Sequence, residues 1–106
     1  MLTLPIKKKW FDMILSGEKK EEYREIKPYY ENRFYHLIVE QKISGIGCRV
    51  VVASPKYIIF RNGYSSNSPS IKCEVKITTG KGKEEWGAEP NKEYYILKIL
   101  SVEKLN

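Results

Sequence analysis

The chain opens on Leu2-Thr3-Leu4-Pro5-Ile6, an alternation of apolar and polar positions that predicts a short strand. Proline cannot donate to a ladder, so this strand belongs at a sheet edge or at its own end. Over residues 8–16 the period changes. Trp10, Phe11, Ile14 and Leu15 fall at helical spacing and form one apolar face, with Lys8, Lys9 and Asp12 turned from it, so a helix is expected there. Gly17 ends that helix, because glycine takes the left-handed conformation without steric cost. Residues 19–26 carry no helical period and follow directly on the stop. They are expected to form a strand with Lys20, Glu22 and Arg24 on one face and Tyr23 pointing the other way, into the core. Lys27-Pro28 halts it, and residues 29–34 follow as a short turn or helical piece.

Beyond this point the pattern becomes strand-like. Leu37-Ile38-Val39, Arg49-Val50-Val51-Val52-Ala53 and Tyr57-Ile58-Ile59-Phe60 are β-branched or aromatic runs separated by Gly, Ser and Pro. Asn62-Gly63 signals a turn. After the Ser-rich loop 65–70, Ile71, Cys73, Val75 and Ile77 alternate with Lys72, Glu74, Lys76 and Thr78, which predicts a strand with one buried and one wet face. Residues 79–91 read as a loop holding Trp86, and residues 94–102 as the closing strand. Five or six short strands and one helix near the start give an α+β, mostly β class: a small mixed sheet that closes on itself as a barrel, with the helix packed at its end. Closure removes edges that would otherwise aggregate.

Composition narrows the picture. With 106 residues the chain fits one domain, residues 1–106. No apolar run reaches the roughly 18 residues of a membrane-spanning helix, and the start lacks the layout of a signal peptide. A cytoplasmic protein without membrane association is therefore expected. Cys48 and Cys73 form no Cys-x-x-Cys pair and have only His36 as a nearby co-ligand, so neither a metal site nor a disulfide is expected. The net charge is +6, from 19 Lys and Arg against 13 Asp and Glu, and there are eight tyrosines against two tryptophans and three phenylalanines. Cations together with rings that carry both a stacking face and a polar handle point to an anionic, base-bearing partner.

The segment Gly17-Glu18-Lys19-Lys20-Glu21-Glu22-Tyr23-Arg24 reads G-x-K-x-x-E-x-R and follows a Trp-Phe-Asp-Met-Ile-Leu helix. It resembles the signature of the ASCH domain family, within the PUA-like β-barrels. The likeness extends to Leu4-Pro5-Ile6-Lys7, Phe60-Arg61-Asn62-Gly63-Tyr64, Glu85-Trp86-Gly87 and Tyr94-Tyr95, as in small bacterial and phage-type members. The resemblance implies a PUA-like barrel with a cleft beside the first helix that binds RNA or a modified nucleoside or nucleotide, with no cofactor. Some similar bacterial proteins are amidohydrolases acting on N4-acylated cytidine through a Lys, a Thr and a Glu. Here the Lys is Lys19, Glu22 stands where the Thr would be, and Glu74, Glu84, Glu85 and Glu89 all compete for the downstream carboxylate.

The residues themselves support two kinds of chemistry. In a binding role, Lys19 and Arg24 would contact phosphate or a carbonyl and Glu22 would accept from an exocyclic amine, as a carboxylate can for cytosine N4. In a catalytic role, Lys19 and Glu22 would be the active pair, but Lys19 would need a lowered pKa, and a neighbouring carboxylate opposes that. The plain alternative is a solvated charged strand in a non-catalytic interaction module. A second polar cluster, Arg61, Asn62 and Tyr64, is expected to close the far side of the cleft with Tyr64 stacking on a base; a simple hairpin turn is its plain reading. Trp86 is a further ligand-binding candidate in its polar loop, while Trp10 is expected in the core. His36 has no evident catalytic partners. Lys7-Lys8-Lys9 adds a run of surface charge that could reach phosphate. A monomer is the working expectation.

Overall fold

A computed structural model describes residues 1–39, 43–45, 48–50 and 56–106. Its frame is a five-stranded mixed sheet in the order β1-β5-β6-β7-β2, curled into a half-barrel, with a separate two-stranded pair, β3 (Ile43–Gly45) and β4 (Cys48–Val50). The sheet strands are β1 (Leu2–Pro5), β2 (Glu21–Glu25), β5 (Lys56–Arg61), β6 (Ser70–Lys81) and β7 (Glu93–Lys104). β1 runs parallel to β5, and the pairs β5/β6, β6/β7 and β2/β7 are antiparallel.

The N-terminal alternation behaves as expected. Leu4 is fully buried, β1 is an edge strand, and Pro5 ends it, where its missing donor costs no ladder bond. Helix α1 (Lys8–Leu15) buries Phe11 and Ile14, and Gly17 follows at φ +84. β6 keeps its alternation, with Ile71, Cys73, Val75 and Ile77 all buried. β7 pairs along nearly its whole length, and one irregularity opposite Glu74/Val75 leaves Leu100 without a register partner.

Four expectations change. Leu37-Ile38-Val39 is not a strand but the end of a second helix, α2 (Pro28–Val39). Tyr30, Phe34 and Leu37 recur at i, i+4 and i+7, and all three pack on the core, Phe34 with no exposure. Proline at the first helical position suits this start, since its missing N–H has no intrahelical partner anyway. Secondly, the expected closed barrel is an open curl among the described residues: β1 and β2 each have one sheet neighbour there, so two edges remain. Thirdly, β2 begins at Glu21 and its faces are reversed. Glu22 and Arg24 point inward and are buried, whereas Tyr23 is half-buried on the other side. Finally, β6 extends through Thr79 to Lys81, shortening the expected loop, and a 3-10 turn at Glu84–Trp86 occupies part of the remainder. Residues 51–53 of the strand expected at 49–53, and the side chains of His36 and Cys48, lie outside the described residues.

The core is continuous from β1 through the sheet to both helices: Leu4, Phe11, Ile14, Phe34, Ile58, Phe60, Ile71, Cys73 and Leu97 belong to one cluster. Phe34 stacks near Tyr30, at 5.7 Å between centroids, and meets Tyr95 edge-on at 5.2 Å, so α2 is fastened to the sheet by aromatic packing.

Candidate functional site

The site is built where the sheet fails to close. The α1 stop sends the chain back at once: the Gly17 amide donates to Ile14 O and the Lys19 amide to Met13 O, 3.0 and 2.9 Å. Lys19 therefore emerges beneath the helix, and β2 starts two residues later with Glu22 and Arg24 turned inward.

These three side chains form one connected group. Glu22 is 6 % exposed, and its Oε2 accepts from Arg24 Nη2 at 2.7 Å and Nε at 3.2 Å. Its Oε1 faces Lys19 Nζ at 3.2 Å. Lys19 also donates to the backbone carbonyl of Trp86 at 2.6 Å, and its ammonium lies 4.9 and 4.8 Å from the rings of Trp10 and Tyr23. Arg24 donates further to Tyr30 Oη at 3.2 Å and, through Nη2, to Pro5 O at 2.8 Å. The last bond ties β2 to β1 across the open seam. Among the described residues no buried side-chain nitrogen or oxygen lacks a partner.

The electrostatics follow from that packing. Burial lowers the Lys19 pKa, because desolvation penalises the ammonium, and the Glu22 carboxylate pulls it part of the way back. Burial pushes the Cys73 thiol up to about 12, with the Glu22 charge adding to the effect. The Tyr23 hydroxyl is raised for the same first reason; it donates to Glu21 and accepts from the Lys83 amide at 2.8 and 2.9 Å.

In front of this group lies an open cleft of about 800 Å³. Glu22 and Arg24 line it, with Trp10, Tyr23, Tyr30, Trp86 and Tyr94 as aromatic wall, and the turn Asn62, Gly63 and Tyr64 on another side. Lys7, Glu25, Lys27, Glu89 and Lys92 add charge to its lining. Such a volume suits one small organic molecule.

The expected residues are thus divided. Glu22, Arg24, Asn62, Tyr64 and Trp86 all border the cleft. Asn62 is a strut as well as a wall, since its Nδ2 donates to Ile6 O at 2.9 Å. Tyr64 is 99 % exposed, a ring standing in solvent at the cleft mouth. Lys19 is 1 % exposed and is not among the lining residues; it holds Glu22 and the Trp86 carbonyl from behind. Arg61 donates to Ser70 Oγ at 3.2 Å and does not line the cleft. Of the candidate downstream carboxylates, Glu74 alternates with buried Cys73 and Val75, Glu84 and Glu85 are exposed, and Glu89 borders the cleft while pairing with Lys92 at 3.2 Å.

Sequence reasoning missed Tyr30, which reaches Arg24, and Tyr94, whose ring packs 5.7 Å from Tyr23. The helical period through Tyr30, Phe34 and Leu37 was the signal for the first. It also missed Gly87, held at φ +102, where a Cβ would lie 2.9 Å from the Trp10 ring. Among the described residues no three His, Cys, Asp or Glu side chains converge as a metal site would require, and no helix is long and apolar enough to cross a membrane. No protein-family model, curated protein or solved structure matches the chain.

Proposed function

We propose that this protein binds a nucleobase, in a nucleoside, a nucleotide or an unpaired stretch of RNA, within the aromatic-walled cleft. The observation that carries the reading is the buried Glu22 carboxylate, gripped by Arg24 and backed by Lys19, at the wall of an open cavity of nucleotide size. A carboxylate positioned by two cations in this way is a fixed acceptor for an exocyclic amine, and Arg24 has a guanidinium N–H left over for a ring carbonyl or nitrogen. Trp86 and Tyr64 offer faces on which a base can stack. The resemblance of residues 17–24 to the ASCH signature supports the same class of ligand.

The test is a calorimetric titration of the protein with cytidine and with uridine. Cytidine, which has the amine, should bind at least about tenfold more tightly. Glu22→Gln, checked for native circular dichroism, should erase that preference. Absence of binding by nucleosides and single-stranded RNA to the wild-type protein would sink the proposal.

Deacylation of N4-acylated cytidine is a second reading, and one observation favours it: burial lowers the Lys19 pKa. Against it, the ammonium is engaged by Glu22 and the Trp86 carbonyl and sits behind the cleft wall. Water would be the co-reactant, and cytidine and a carboxylic acid the products. Incubation with N4-acetylcytidine, followed by chromatography, separates the readings, since an enzyme yields cytidine in a Lys19-dependent manner.

A further inference from the structure

The interior cations are already committed. Lys19 and Arg24 share one carboxylate, and Arg24 also serves Pro5 O and Tyr30 Oη. A phosphate entering there would have to approach the Glu22 carboxylate, two like charges in a desolvated place, which is strongly unfavourable. The cleft nevertheless has positive charge to offer at its rim. Lys7, just after β1, and Lys27, just after β2, both line it, both are exposed, and neither has an ion-pair partner among the described residues. Lys92 differs, because Glu89 and Glu25 lie 3.2 and 3.9 Å away. Charge is therefore sorted by depth: a carboxylate with internally satisfied cations inside, and at the edge the Glu25 and Glu89 carboxylates near Lys92 together with two ammonium groups that have no carboxylate partner among the described residues, Lys27 resting 5.7 Å from the Tyr30 ring centroid.

From this sorting we infer that the ligand is a phosphorylated nucleotide, held with its base inward against Glu22 and Arg24 and its phosphate at the rim on Lys7 and Lys27. The inference rests on the nucleobase-binding reading and adds which end of the ligand goes where. Of the two contacts expected of Lys19 and Arg24, phosphate or a carbonyl, it keeps the carbonyl for Arg24 and moves the phosphate to the rim. The same chemistry is presented by a free nucleoside monophosphate and by an unpaired nucleotide in an RNA strand.

Calorimetry with cytidine, cytidine 5′-monophosphate and a short oligocytidylate tests it, at low and at moderate salt. The monophosphate, the oligocytidylate or both should bind about tenfold more tightly than cytidine at low salt, the worth of a charge-assisted contact. That advantage should shrink as salt rises. A Lys7→Ala/Lys27→Ala double variant should lose the advantage while keeping its affinity for cytidine, and these two surface changes should leave the circular dichroism native. The better binder among the two phosphorylated probes identifies the source. Equal affinity for cytidine and both phosphorylated probes, or an advantage that persists in the double variant, overturns the inference while nucleobase binding stands. Failure of all three probes to bind overturns both.

Discussion

Lys19 is the residue whose role changes most between sequence and fold. As a motif lysine it was expected to touch a ligand, yet its ammonium is buried under Trp10 and Tyr23 and bonded to Glu22 and the Trp86 carbonyl. Removing it breaks a buried ion pair, so Lys19→Met should lower stability by about 3 kcal/mol, read by urea denaturation. Its burial also has a pH signature. The folded pKa lies below the ordinary lysine value of 10.5, so between the two values the unfolded chain binds more protons than the folded one. Stability then rises with pH across that window. Relative to Lys19→Met, the wild-type protein should gain stability as pH climbs toward 10.5, and a difference that stays flat with pH would contradict the buried, desolvated ammonium. Glu22 and Arg24 were legible as a pair from their i, i+2 spacing. Their inward direction was not, because alternation fixes that they share a face without saying which face meets the core.

Among the elements, the connection between β6 and β7 matters most for the site. Its 3-10 turn delivers both the Trp86 ring to the cleft and the Trp86 carbonyl to Lys19, and Gly87 ends it in the left-handed region against the Trp10 ring. Gly87→Ala would combine an unfavourable φ with a Cβ pressed on that ring. It should cost roughly 1–3 kcal/mol and weaken nucleoside binding, measured as a lower thermal midpoint together with a raised Kd; an unaltered midpoint would show that the turn does not constrain the site. Helix α2 contributes the other half, carrying Tyr30 to Arg24. The sequence concealed this helix because Leu37-Ile38-Val39 is a β-branched-rich run whose local preference is extended. The long-range burial of Phe34 against Tyr95 outweighs that preference.

On the scale of the whole molecule, the half-barrel and the cleft have one origin. Among the described residues the sheet leaves β1 and β2 as edges, and the Arg24 guanidinium spans between them where a ladder would otherwise run. Opposite this seam, the centre of the sheet is tightly packed. Cys73 lies there with no exposure and a thiol pushed up to about 12, so it should react with a thiol reagent only when the domain opens as a unit. In a Cys48→Ser background, the labelling rate of Cys73 should follow the global unfolding free energy across urea concentrations. Labelling faster than global unfolding would place a local opening at β6.

The sequence alone determined the β-rich class, α1 and its glycine stop, the alternating faces of β6, and the grouping of Lys19, Glu22 and Arg24 within six residues. These are consequences of period and of local backbone preference, which need no partner to be read. The second helix, the open seam, the inward turn of β2, and the burial of Lys19 behind the cleft were decided only by tertiary structure. Each depends on which distant surface a segment covers: Phe34 against Tyr95, Arg24 against Pro5, and Lys19 against Trp86. The first of these contacts is stabilised by burial and the other two by hydrogen bonding between residues far apart in the chain, and no spacing along the chain records which partners will meet.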